Sequence, residues 1–311
     1  MRDAFAKHVH EGLSAKNKSL PSRYFYDKKG DELFVKIMKM PEYYLTDAEL
    51  EIFNSQTSRL INSFAMNGEH FEVVELGAGD GLKVINLLKQ LNGYNFTYAP
   101  IDISQNAIDK LKNRLLKEMP GLDFDGKQGE YFDIMHQLND VGKKVILFLG
   151  SNIGNLTDIR AHNFMLKISE AMEPQDKLVI GFDLKKDPKI IEKAYNDPHG
   201  YTSEFNLNLL QRINKELGGD FKIENFVHVP IYDEKKGVAL SYIGSVVDQE
   251  VKIESIGESY KFQKGERIHT EISRKYDMKT IHKIAKDTGL GVRETFYDNR
   301  KYFVDVLFEK E

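Results

Sequence analysis

The 311-residue sequence contains no cysteine. Disulfides, thiol nucleophiles and cysteine-ligated metals are therefore excluded, and the composition fits a reducing compartment. No stretch approaches the roughly 20 consecutive apolar residues of a spanning helix. Residues 1–19 are polar and charged and carry no apolar core of a secretory leader. The expectation is a cytoplasmic protein that does not engage a membrane. No sign of charge dominates, since 44 basic residues meet 48 acidic ones for a net charge of −4. A global nucleic-acid footprint is therefore not expected. No G-x-x-x-x-G-K-[ST] run occurs, which excludes a P-loop, and there is no internal repeat. What the chain does have is apolar bulk: 41% hydrophobic residues, with 19 Phe and 15 Tyr, suffice for one large domain or two smaller ones.

The first 20 residues read as mobile or weakly helical. Residues 31–38 read as a short amphipathic helix with Leu33, Phe34, Ile37 and Met38 on one side. Thr46-Asp47-Ala48-Glu49 fits a capping box, with Thr46 as N-cap and Glu49 at N3 of the next helix. From residue 71 the pattern alternates. Strands are expected at 71–76, 96–103, 123–128, 144–149 and 176–183. Helices are expected at 81–91, 104–116, 132–138 and 158–172. Apolar runs such as Val145-Ile146-Leu147-Phe148-Leu149 predict parallel strands buried on both faces, hence a doubly wound α/β sheet. Residues 185–275 break the alternation, with a helical stretch at 188–217 and strand-like pieces at 222–232, 237–247 and 250–262. They predict an inserted α+β lobe packed with the N-terminal segment. The expected division is 61–184 with 276–311 as the sheet core, and 1–60 with 185–275 as the lobe. After a helix at 277–288, strands at 292–297 and 302–308 surround a four-residue turn, so the final pairing is expected to be antiparallel.

Four features fall at the carboxyl ends of successive strands, where open α/β sheets bind ligands. The first is the glycine turn Gly77-Ala78-Gly79-Asp80-Gly81, between a strand and a helix. Without a Cβ the main chain can approach a ligand closely. The second is Asp102, which closes the second strand and can accept both hydroxyls of a ribose, although it also fits a helix cap. The third is Glu130-Tyr131, an acid beside an aromatic, suited to reading and stacking on an adenine ring. The fourth is Gly150-Ser151-Asn152-Ile153-Gly154-Asn155 after the fourth strand. Each alone has a plain structural explanation; in sheet order they point to a nucleotide-like cofactor. The glycine spacing is not the G-x-G-x-x-G of a dinucleotide site. An antiparallel terminal hairpin is how class I methyltransferases close their sheet, which favours S-adenosylmethionine (SAM) over NAD.

The sequence resembles the histidine Nα-methyltransferases of the ergothioneine pathway over nearly its whole length. The resemblance rests on Arg23-Tyr24-Phe25-Tyr26-Asp27, Pro41-Glu42-Tyr43-Tyr44, Glu75-Leu76-Gly77-Ala78-Gly79, Phe148 to Leu156, Ala194-Tyr195-Asn196-Asp197 and Gly265 to Ser273. Several of these lie outside the general methyltransferase core. The resemblance implies a class I SAM-methyltransferase sheet with an added substrate lobe, and transfer of methyl groups to the α-amino group of histidine. It implies that Gly77, Lys83, Asp102, Glu130 and Tyr131 hold SAM, with Asp102 on the ribose. Asn155, Tyr43 and Tyr195 would bind the amino-acid carboxylate, and Gly150 would lie beside its backbone. Tyr26 and Phe34 would flank the amino group, Tyr26 as the candidate proton relay. Glu271 and Ser273, two residues apart on a strand, would bind the imidazole. Where histidine-specific members set a methionine against that ring, this chain has Leu240 or Ser241.

Overall fold

The structure, a computed structural model, describes residues 2–65, 68–79, 81, 83–102, 104–129, 131 and 142–311. Glu130, Asp80 and the expected helix at 132–138 lie outside the described residues. The chain divides into two compact units, one of residues 1–44 and 186–273, the other of residues 45–185 and 274–311.

The second unit is built on a seven-stranded sheet. Its strands are β1 (Phe71–Leu76), β2 (Phe96–Asp102), β3 (Lys127–Gln128), β4 (Lys143–Phe148), β5 (Lys177–Asp183), β11 (Leu290–Tyr297) and β12 (Phe303–Lys310), in the order β11-β12-β5-β4-β1-β2-β3. β1 pairs in parallel with β2 and β4, and β4 with β5, whereas β12 runs antiparallel to both β5 and β11. The class I methyltransferase arrangement expected from the sequence is therefore present, with its antiparallel C-terminal strands. All six residues of β1 are buried, as a central strand covered on both faces requires. Val74, Leu76, Ile146 and Phe148 pack on one face against α7 (Asp158–Ala171) and α10 (Met278–Asp287). Val73, Val145, Leu147 and Leu307 pack on the other against α3 (Tyr44–Ser55), α4 (Thr57–Phe64), α5 (Val84–Gln90) and α6 (Gln105–Glu118). Strand order reverses between β1 and β4, which places the loops after these two strands side by side.

Residues 45–60, expected with the lobe, belong to this unit, because Ala48, Ile52, Phe53 and Leu60 turn their apolar stripe onto the sheet. The expected capping box does not form. Helix α3 begins at Tyr44, so Thr46 already lies inside it. The expected strand at 123–128 is reduced to β3 and an isolated bridge between Tyr98 and Phe124.

The first unit carries the three-stranded sheet β10-β7-β6, formed by β6 (Phe226–Asp233), β7 (Val238–Ser245) and β10 (Arg267–Arg274), and the hairpin of β8 (Gln249–Ile253) and β9 (Glu258–Phe262). Its helices are α1 (Arg2–Ser14), α2 (Lys28–Met38), α8 (Pro188–Tyr195) and α9 (Tyr201–Leu217). The N-terminal segment is more ordered than expected, since Phe5, Val9 and Leu13, four apart, are buried together in this unit's core. The expected helical stretch 188–217 is two helices. Gly200 sits at φ +75 before α9, a left-handed conformation that glycine adopts at no steric cost. The Asp27 carboxylate caps α2 through Gly30 N at 2.7 Å and accepts Asn208 Nδ2 of α9 at 2.8 Å, tying the two helices together.

Candidate active site

Within the sheet unit, β1 ends in the turn of Gly77 and Gly79, at φ +72 and +57. A Cβ on Gly77 would lie 2.7 Å from the Tyr131 hydroxyl, so the turn and Tyr131 approach closely only because residue 77 is glycine. No described residue comes within 4 Å of a Cβ built on Gly79, which leaves open space above that turn among the described residues. Asp102 closes β2, is partly exposed, and accepts Ser104 N at 2.8 Å. The cap of the next helix is Ser104 itself, whose hydroxyl accepts Ala107 N, so Asp102 steadies the cap residue and does not cap the helix. Gly150, at φ +77, follows β4, and the short 3₁₀ turn Asn152–Asn155 ends at exposed Asn155. The Asn152 amide is 3.7 Å from the Cβ positions of both Gly77 and Gly150, so it bridges the two loops at the topological switch.

Lys83 stands in the same unit. Its Nζ is 2.6 Å from Glu49 Oε2 and 2.8 Å from the Cβ position of Gly150. Glu49 Oε1 accepts the Gly150 N–H at 2.7 Å. Glu49 and Asn152 therefore join the expected residues Gly77, Lys83, Asp102, Tyr131, Gly150 and Asn155. Sequence reasoning assigned Glu49 to a cap. The available signal was a glutamate in phase with Ala48, Ile52 and Phe53, and thus on the buried side of its helix. A turn of glycines, open space over Gly79, a carboxylate ending the neighbouring strand and an aromatic next to the turn fit an adenosine-bearing group.

The remaining expected residues gather within the first unit. Tyr26 meets Phe34 edge-on at 5.5 Å and Phe205 at 5.6 Å, and Phe34 meets Tyr43 at 6.3 Å. The Tyr195 hydroxyl, on a residue only 9% exposed, donates to Ser273 Oγ at 2.7 Å. Tyr26 is 44% exposed as a residue, yet its hydroxyl is enclosed. Burial, then the charge of Glu271, then Asp31 and Tyr195, push that phenol well above its ordinary pKa and keep it protonated. Glu271 is thereby placed within electrostatic reach of Tyr26. One neighbour was left open by the sequence. Ser241 pairs with Pro230 and shares its strand face with buried Ile243, whereas Leu240 pairs with Ile231, which is 37% exposed. The core face of β7 therefore presents Ser241, 1% exposed and, among the described residues, with no partner for its Oγ.

Among the described residues, no helix is long and apolar enough to cross a membrane. Residues 5–310 match the family model described as histidine-specific methyltransferase, SAM-dependent. The chain is 30% identical over 297 residues to the histidine N-alpha-methyltransferase of Mycolicibacterium smegmatis, covering 95% of this chain and 91% of that protein. It is 32% identical to the protein of the same name from Mycobacterium tuberculosis, covering 92% and 89%. Ergothioneine biosynthesis protein 1 of Neurospora crassa is 31% identical over 91% of this chain and 32% of its own length. Among solved structures, the magnesium protoporphyrin IX methyltransferase of Synechocystis PCC 6803 aligns with a TM-score of 0.47 at 12% identity, covering 93% and 98% of the two chains. With its family model matched from residue 5 to residue 310 on a class I methyltransferase sheet, the chain belongs to the histidine-specific, SAM-dependent methyltransferases, enzymes that take SAM as methyl donor.

Proposed function

We propose that the protein transfers methyl groups from SAM to the α-amino group of L-histidine, up to the trimethyl betaine. Within this reading Gly77, Lys83, Asp102 and Tyr131 hold SAM, together with Glu130. Tyr43, Tyr195 and Asn155 hold the amino-acid carboxylate, with Gly150 beside the substrate backbone. Glu271 and Ser273 hold the imidazole. The observation that carries it is the clustering, within one unit, of Tyr26, Phe34 and Tyr43 as an aromatic group, with Ser273 bonded to Tyr195 and Glu271 acting electrostatically on Tyr26. A cysteine-free composition supports a cytoplasmic location.

Bound SAM supplies an electrophilic methyl group on a sulfonium. The chain's part is alignment and exclusion of water, effects worth several kcal/mol in well-oriented reactions. Clamps on the carboxylate and on the ring fix the acceptor amine between them. Tyr26, protonated, accepts an amine N–H at its hydroxyl oxygen and leaves the lone pair free for the methyl, and the proton lost from the ammonium product passes to water. Faces of Tyr26, Phe34 and Tyr43 stabilise the ammonium product by about 0.5–2 kcal/mol each. The attacking amine must be neutral, so the rate rises with pH through the titration of that amine.

A second reading, methylation of another amino acid or aromatic amine, draws on Leu240 and Ser241, since neither is the methionine that the resemblance sets at one of these two positions. One experiment separates the two. Purified protein is incubated with SAM and each of the twenty amino acids, and products are weighed by mass spectrometry. Histidine gaining one to three methyl groups supports the first reading. An inert histidine beside another methylated amine replaces it with the second.

A further inference from the structure

Among the described residues, the sheet unit holds two carboxyls for one ammonium at the loop after β4. Glu49 is fully buried; its Oε1 accepts Gly150 N at 2.7 Å, and its Oε2 lies 2.6 Å from Lys83 Nζ as an ion pair without hydrogen-bond alignment. Asp305, on β12, is also fully buried, and among the described residues neither of its carboxyl oxygens has a hydrogen-bond partner. Asp305 stands opposite Gly181 in the β12–β5 register. Its strand neighbours Phe303 and Leu307 pack with Ala48 and Ile52 of α3, so Asp305 faces the helix that carries Glu49. A Cβ on Gly181 would lie 2.5 Å from Glu49 Oε1. Glycine inside a strand weakens it, and here it leaves the space that the Glu49 carboxylate occupies. The charged groups acting on Asp305 are Glu49 from α3 and Lys83 from the start of α5.

We infer that Glu49 and Asp305 form a buried acid pair holding a single proton, and that the pair positions Lys83 and the Gly150 loop for the methyl donor. Two ionised carboxyls against one ammonium would leave a buried negative charge without a counter-ion, which is costly. One proton restores neutrality. Asp305 keeps it, because burial first and the Glu49 charge second raise its pKa well above the carboxylate range, against a smaller pull from Lys83. The Glu49 side chain faces both Lys83 and Gly150 N. Both acids are positioning residues. The inference rests on the reading of Lys83 as a SAM contact only for its consequence, while the proton itself is read independently.

The test uses the full chain and the variants Asp305→Asn, Glu49→Gln, Lys83→Met and the double variant Asp305→Asn/Glu49→Gln. Thermal melting is followed between about pH 5 and pH 8, above the ordinary carboxylate pKa of about 3.9. An acid whose folded pKa is raised contributes stability below its unfolded pKa and loses it as pH rises. The melting temperature of Asp305→Asn should therefore gain on wild type steadily from pH 5 to pH 8. With Glu49→Gln in the background that gain should shrink, because burial still raises the Asp305 carboxyl but the neighbouring charge no longer does. A pH-independent difference, or a gain just as large with Glu49→Gln, overturns the shared proton. Calorimetry with SAM at about pH 7 reads the positioning. Glu49→Gln should weaken SAM about tenfold, as loss of the charge partner of Lys83 does. Wild-type affinity in Glu49→Gln overturns the positioning role. Wild-type affinity in Lys83→Met instead overturns the SAM role of Lys83 and leaves the melting result standing.

Discussion

The Tyr195 hydroxyl donates to Ser273 Oγ across 2.7 Å, linking the end of α8 to β10 inside the first unit. Two residues proposed for opposite ends of the acceptor are thereby held as one piece. Tyr195→Phe removes this bond and keeps the ring. A stability loss of about 1 kcal/mol is expected, with the KM for histidine raised about fivefold and the SAM dissociation constant unchanged. Steady-state kinetics with calorimetry checks it. Equal weakening of both ligands would remove Tyr195 from the acceptor side.

Gly181→Ala would normally favour a strand, since alanine has less backbone freedom to lose. Here the new Cβ meets Glu49 Oε1 at 2.5 Å and the Phe303 ring at 2.9 Å. The expected result is destabilisation of about 1–3 kcal/mol, as for overpacking in a dense core. Denaturant titration should show a lower midpoint with an unchanged slope. A variant as stable as wild type would show that Glu49 gives way freely.

Ser241→Ala deletes a buried hydroxyl that has no partner among the described residues. The ligand-free protein should gain about 1 kcal/mol, the scale of an unsatisfied buried polar group. On the proposed acceptor side, the same change should raise the KM for the true acceptor severalfold. Melting and acceptor kinetics on one preparation test both. A stabilised variant with unchanged KM would assign Ser241 to the core alone.

His228 sets the acid limb of stability. Burial lowers its pKa to about 4, with Asp197 pulling weakly the other way. The folded state keeps it neutral while the unfolded chain takes up a proton near about pH 6.5. Its contribution is complete above about pH 6.5 and is lost as pH falls toward 4, to the order of 3 kcal/mol. In His228→Phe, urea midpoints between pH 7 and about pH 4 should fall less steeply than in wild type. Parallel slopes would place the acid sensitivity elsewhere.

The sheet was legible because its strands are continuous apolar runs that only a doubly covered parallel sheet accommodates. The glycine turn and Asp102 followed, since strand ends locate themselves once the strands are known. Local patterns were less sure guides. Thr46 and Glu49 have capping-box spacing, but helix α3 starts two residues earlier and Glu49 turns inward to Lys83 and Gly150. Which of Leu240 and Ser241 faces the core was legible only from the pairing of Ser241 with Pro230, because a one-residue slip exchanges the faces of a strand. Asp305 gave no signal at all. It lies among Val304, Val306, Leu307 and Phe308, and its partner is more than 250 positions away.

The placement of β12 also bears on how the chain acquires its structure. Strand β5 is flanked by β4 and by β12, whose residues follow it by about 120 positions in the sequence. Until those residues are synthesised, β5 presents an unpaired hydrophobic edge, the kind of surface that templates aggregation. Closing the sheet also spans the whole excursion through the first unit, and contacts that distant in sequence slow folding. A ribosome-bound chain is therefore expected to need chaperone cover on this edge until Phe303–Lys310 has emerged.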